Sequence, residues 1–303
     1  MSGVITTGNH PAALWPGVKA IYGRSYDEHM EEWSKIFETS KSNKKYEEVF
    51  ETTGFGLAPV KDEGAGVAYD SESQGDLSRL VNVAYALGYI VTREERDDNL
   101  YMEVSARRSK SLAFSMRQTK ENVGANILNR AFNSSYTGGD GVELISTSHV
   151  TKSGTQSNHL TVAADISELA IENLVIQIMN AQNSRGLKIS LMPKALIIPP
   201  ALWYKANRIV NSALQSGTAN NDVNVLKMTN QFPDGIVMNH YLSDPDAWFI
   251  KTNAPEGLVH YQRVANEFTQ DNDFDTENAK AKSYERYVFG WNDWRSLYGS
   301  PGA

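Results

Sequence analysis

The chain has 303 residues, a formal net charge of −7, 41% hydrophobic and 21% charged residues, and no cysteine. It is long enough for two packed regions or one large one and too apolar for a disordered chain. The lack of thiols excludes a disulfide framework, thiolate zinc and a cysteine nucleophile, and fits a reducing cytosol; the acidic balance gives no global sign of a nucleic-acid-gripping surface.

No apolar run approaches the roughly 18 residues of a membrane span. The opening residues, MSGVITTGNHPAALWPG, lack the basic-then-apolar order of a signal peptide. Residues 1–24, with several glycines and with Pro11 and Pro16, read as an irregular arm. Met30, Trp33, Ile36 and Phe37 then recur at helical spacing, which predicts a short amphipathic helix. Thr52–Asp76 is rich in Gly, Ser and Asp and reads as a loop. From Val81 to Val91 apolar residues alternate, with Val83, Tyr85, Leu87 and Tyr89 on the same face. With the β-friendly EVFETTGFG before the loop, this run predicts a long hairpin with a wide glycine-rich tip.

LYMEVSARRSKSLAFSMRQTKENVGANILNRAF, from Leu100 to Phe132, holds one glycine, Gly124, and no proline. It predicts one helix about 50 Å long. Thr92 and Glu95 have capping-box spacing, with Asp97, Asp98 and Asn99 as later caps, and Arg130 sits favourably near the far end. Glu103 and Arg107 are four apart in the favourable order. Leu112, Met116, Val123, Ile127 and Ala131 form only a narrow apolar stripe.

DISELAIENLVIQIMNAQNSRG predicts a second helix with a broad, buried apolar face, with Asp165 and Glu168 as capping pair and Gly186 as its stop. KALIIPP reads as a buried strand, ALWYKANRIVNSAL as a helix, and GIVMNH and AWFIKT as further strands. Residues 155–255 therefore form a compact α/β unit. GLVHYQRVANEF and AKSYERYVFGW are two tail strands joined by the acidic turn TQDNDFDTEN. Arm, hairpin and long helix cannot bury themselves well, which points to an obligate assembly.

No catalytic constellation emerges. P-loop, H-E-x-x-H and G-x-S-x-G patterns are absent, and GFG (54–56) and GAG (64–66) read as flexible loop. Asp271, Asp273 and Asp275 begin like a calcium loop, but Thr276 stands where its glycine belongs and Lys282 where its final Glu belongs, so an acidic turn is the plainer reading. His149 and His159 flank VTKSGTQSN, where hydrogen-bonded histidines are the plainer reading than metal ligands. Arg107, Arg108 and Lys110 form a basic cluster able to meet DNA or an acidic partner, as does the trio Lys41, Lys44 and Lys45; a solvated or salt-bridged face fits both as well. The aromatic-rich YERYVFGWNDWRSLYG reads as packed strands rather than a ligand cage. The sequence thus assigns no catalytic, cofactor or metal residue.

Several stretches resemble, in order, those of tailed-phage major capsid proteins, above all the Mu-like prophage major head subunits with the Hong Kong 97-type capsid fold. They are SKSLAFSMRQTKENVGANILNRAFN, GGDGVELISTSH followed by GTQSN, LIIPPALWYKANRIV and FGWNDWRSLYGSPG. The resemblance implies an α+β fold: an N-terminal arm and short helix at 1–45, an extended hairpin loop at 46–96 lying over a neighbouring subunit, a peripheral domain with the spine helix at 97–154 and 256–303, and an axial domain at 155–255. It implies no enzyme but a structural subunit. Pentamers and hexamers would build an icosahedral head that encloses double-stranded DNA without sequence-specific binding and touches no membrane. Expected partners are a portal protein, decoration proteins and a scaffolding protein; the chain begins almost at its arm with Met1, so the scaffold is expected as a separate chain. The expected location is the virion, with assembly in the host cytoplasm. Some relatives join a loop lysine to a neighbour's asparagine. Lys61 lies in the loop, but nothing identifies its partner. The alternatives are an encapsulin-like host nanocompartment shell and an enzyme built on the 155–255 unit.

Overall fold

The computed structural model describes residues 15–97, 101–214, 222–273 and 275–303. The arm residues 1–14 and the cap candidates Asp98 and Asn99 lie outside them, as do the side chains of Asp97 and Glu103.

Helix α1 (Trp15–Glu28) occupies ground expected to be irregular, and a single tight turn at Trp33–Lys35 replaces the expected helix. Trp33, Ile36 and Phe37 are buried as their spacing implied, but Met30 faces solvent. A distant side chain overrides the local pattern: the Glu121 carboxylate accepts the backbone N–H groups of Glu32 and Trp33, at 3.0 and 3.1 Å. The chain leaves this turn as strand β1 (Glu38–Lys41).

The alternating run is not one strand. Strands β2 (Tyr46–Thr52) and β3 (Gln74–Val81) make the hairpin, and β4 (Val83–Val91) joins another sheet. The break is at Asn82. Its amide donates to Ser42 Oγ (2.8 Å) and the Lys44 carbonyl (3.1 Å), and its N–H to the Lys45 carbonyl, which pins the crossover between the sheets. After the short α2 (Arg93–Asp97), where Thr92 Oγ1 accepts the Glu95 N–H as the capping-box spacing implied, comes α3 (Tyr101–Asn129). Its 29 residues span about 44 Å. Leu112, Ala113, Met116, Ala125 and Leu128 form its buried face.

Strands β5 (His149–Thr151) and β6 (Gly154–Gln156) form a small ribbon. Helix α4 (Glu168–Met179) follows, capped by Ser167 accepting the Ala170 N–H rather than by Asp165. It ends at Asn180, short of Gly186, which instead turns the following loop with φ of +84°. Strand β7 (Pro193–Ile198), helices α5 (Trp203–Asn211) and α6 (Val225–Met228), and strands β8 (Ile236–Met238) and β9 (Trp248–Thr252) complete the compact unit. Strands β10 (Leu258–Asn272) and β11 (Ala279–Trp291) are long antiparallel partners, and β12 (Leu297–Ser300) closes the fold.

Two four-stranded sheets organise the molecule, ordered β1-β10-β11-β4 and β12-β9-β7-β8. The second is buried on both faces. Leu196, Ile198, Trp248, Ile250 and Tyr298 enter one core with α4 and α5. Ala195, Ile197, Phe249 and Leu297 enter another with the end of α3 and with Tyr287 and Phe289 of β11. This is the period-two alternation of a strand clasped between layers. The last strand, β12, therefore belongs to the sheet of the 155–255 block through its pairing with β9. A third, smaller core joins Val18 and Tyr22 of α1 to Leu112 and Met116 of α3 and Phe268 of β10.

Candidate functional site

The surfaces most in need of a partner lie on the hairpin. Its loop, 53–73, turns Phe55, Leu57, Val60, Val67 and Tyr69 outward, with Val60 94% and Tyr69 95% exposed. Apolar exposure on this scale marks an interaction surface. The loop is shaped by Asp70, whose carboxylate accepts the N–H groups of Gly56 and Ser71, both at 2.8 Å. Those two amides, with the Arg185 guanidinium, hold the Asp70 carboxyl below its ordinary range.

The hairpin lies against its own subunit at two levels. Near its base the fit is tight: a Cβ on Gly139 would come within 2.7 Å of the Leu77 carbonyl, and one on Gly290 would strike the Leu80 side chain. Farther out it is held by polar contacts. Arg185 pairs with Asp70 at 2.5 Å and donates to the Ser71 carbonyl. Ser184 donates to Glu51 and Lys152 to Ser73. Arg295, 3% exposed and anchored on the Gln182 carbonyl, reaches Glu51 at 3.2 Å. None of these partners was singled out from sequence. They meet across separations of 79 to 244 residues, and no spacing rule reaches so far.

Helix α4 supplies a second unpartnered surface. Its inner residues Ile171, Leu174, Val175 and Ile178 are fully packed, but Leu169 and Ile176 face solvent beside Val162. The broad apolar face inferred from sequence is thus divided, the larger part in the core and a smaller part outside. Tyr204, Val225 and Met228 add exposed apolar area at α5 and α6.

The seam between arm and spine helix is polar and buried. Arg117 pairs with Glu31, donates to the Tyr26 carbonyl at 3.1 Å and stacks on the Tyr26 ring. Lys120 lies 3.7 Å from Glu285, over the rings of Trp33 and Tyr287. Burial lowers the Lys120 ammonium below its ordinary value, against the pull of Glu285. The same burial raises Glu121 to about 7, and burial with the nearby Lys120 charge lowers His260 to about 3.

The chemical candidates take ordinary structural places. His149 is buried between Asp140 and Asn158, at 2.5 and 3.0 Å, and stacks on Trp294. His159 bonds the Leu160 carbonyl. Asp273 pairs with Lys280, and Asp271 accepts the N–H of Asn272. Arg108 pairs with Glu95 at 2.8 Å, while Arg107 and Lys110 stay exposed on α3. Lys61 is exposed in the hairpin loop. Among the described residues, no three His, Asp or Glu side chains are placed to hold a metal ion, and no helix is long and apolar enough to cross a membrane.

The model of one protein family, described as phage capsid protein, matches residues 81–300, from β4 through the spine helix to β12. The chain belongs to the phage capsid protein family. It is a structural capsid protein, a component of a virion shell built from copies of itself. Solved structures share the fold of this capsid protein at low identity. The capsid of a native GTA particle matches with a TM-score of 0.56 and 9% identity, covering 91% of each chain. A virus-like particle from Pyrococcus furiosus matches with a TM-score of 0.53 and 12% identity, over 94% of this chain and 98% of that one. Mycobacterium phage Che8 gives a TM-score of 0.51 and 14% identity, over 89% and 92%. Among curated proteins, none matches the sequence.

Proposed function

We propose that this capsid protein is the major head subunit of a tailed phage, of the Mu-like group with the Hong Kong 97-type fold, and that it works without catalysis. Copies gather as pentamers and hexamers into an icosahedral shell around double-stranded DNA, in the host cytoplasm, with a separate scaffolding protein, a portal protein and decoration proteins as partners. In this reading residues 97–154 and most of 256–303 are the peripheral domain, α3 is its spine, and 155–255 with β12 is the axial domain. The observation that carries it is the family match running unbroken over the spine helix, over all of the β12-β9-β7-β8 sheet and over three of the four strands of the other. The exposed apolar hairpin loop and the outer face of α4 support it, since a subunit stable alone has no use for them. Net negative charge suits a wall that contains DNA without gripping it.

Electron microscopy of the purified chain, alone and with a candidate scaffolding protein, tests this. Closed uniform shells, or rings of five and six subunits, are expected. Small discrete particles under every condition would refute it.

A further inference from the structure

Three features of the hairpin do not fit a loop simply waiting in solvent. Its base is locked by close packing of the Leu77 backbone on Gly139 and of the Leu80 side chain on Gly290. Its distal half is held by side chains of its own subunit: Arg185, Ser184, Lys152 and Arg295. Yet the apolar loop beyond gains nothing from that hold, because Phe55, Leu57, Val60, Val67 and Tyr69 all remain exposed. A firm base, a polar hold and an unsatisfied apolar end make a device with two positions.

We propose that the contacts of Arg185 with Asp70 and Ser71, of Lys152 with Ser73, and of Ser184 and Arg295 with Glu51 form an autoinhibitory latch. It keeps the hairpin folded on its own subunit, and its release is what lets the apolar loop dock on a second copy. This rests on the shell-forming role proposed above.

The strengths of the contacts suit the task. The Arg185–Asp70 pair is partly exposed, 22% and 44% at the two side chains, so water and salt weaken it. The Glu51–Arg295 contact is better shielded, with Arg295 at 4%, and forms the inner part of the latch. No apolar side chain of the loop among those named above is buried by latching, so release costs these side chains no apolar burial; water replaces the exposed Arg185–Asp70 contact in kind, while parting Glu51 from the buried Arg295 is the costlier step. Docking of the loop on a neighbour then gains apolar burial that the latched state does not have.

The absence of native cysteine makes the test clean. Ser73→Cys and Lys152→Cys are introduced together, and dilute unassembled subunits are treated with a short bis-maleimide. The link is expected within one chain, joining residues 73 and 152 by peptide mass. The linked subunit is expected to stay out of shells or rings that the unlinked double variant still forms. Arg185→Ala, which removes the outer hold at the surface, is expected to assemble at a several-fold lower protein concentration than wild type. Links found only between chains would overturn the latch, as would a linked subunit that assembles like the unlinked one. An Arg185→Ala threshold equal to that of wild type would also overturn it. Wild type that forms no shell or ring under any condition would remove the functional reading itself, a result distinct from all of these.

Discussion

Glu121 and His260 sit on opposite sides of one pH question. Folded Glu121 keeps its proton up to about pH 7, against an ordinary 4.5, because burial disfavours its charge more than the Glu32 and Trp33 amides favour it. Between those values the folded state binds more protons than the unfolded one, so this group lowers stability as pH rises from 4.5 to 7 and adds nothing further above. His260 does the reverse. Folded, it refuses a proton until about pH 3, against an ordinary 6.5, so stability falls as pH drops through that interval. The two oppose each other between 4.5 and 6.5, and a wild-type profile alone hides both. Glu121→Gln separates them. The stability of wild type minus that of the variant is expected to fall by about 1.4 kcal/mol per pH unit at most between 4.5 and 7, and to be flat above. Urea midpoints of the unassembled subunit at closely spaced pH values measure this, and a difference that rises with pH would contradict it.

At the scale of elements, α4 shows how burial divides one helix between two tasks. Ile171, Leu174 and Ile178 hold the subunit together, while Ile176, 56% exposed, contributes little to that core. Ile176→Glu is therefore expected to leave thermal stability within about 0.5 kcal/mol of wild type, the range of ordinary surface changes. The same variant is expected to abolish or strongly delay assembly, because a carboxylate buried at a subunit contact lacks a partner. Calorimetry with light scattering distinguishes the two effects; unimpaired assembly would take this face out of the interface.

The elements also show what could be read from residues in order. The spine helix and β11 announce themselves because their periodicity and their burial agree, and β7 and β9 because their short apolar runs are buried almost throughout. The arm helix, the turn at Trp33 and the break at Asn82 do not. Each depends on a side chain or turn elsewhere in the chain, Glu121 in one case and the Ser42–Lys45 turn in another. The apolar alternation across 81–91 is real, but it spans two strands in two sheets, and period alone carries no information about a change of partner. The hairpin loop was legible as glycine-rich and open; its hold on Arg185 and Arg295 was not, since isolated charges give no sign of whom they meet.

At the scale of the whole molecule, β7 makes two cores answer as one. Ile197 and Ile198 are adjacent in sequence and fully buried, one in each core. Ile197→Ala is expected to cost about 2–5 kcal/mol by loss of transfer energy and by the cavity left behind. Because the strand is shared, the loss is expected to lower a single melting transition rather than split it. Two resolved calorimetric transitions would show that the cores unfold independently.

The closing strand has a consequence for how each copy comes into being. Leu297 and Tyr298 fill one core apiece, and Ser300 pairs with Trp248, so the central sheet stays open along β9 until residue 300 has been made. A chain still emerging from the ribosome presents an uncovered edge and two incomplete cores. Completion of the fold thus waits for residue 300, and a subunit made only part of the way to it has no finished surface with which to enter a growing lattice and spoil it.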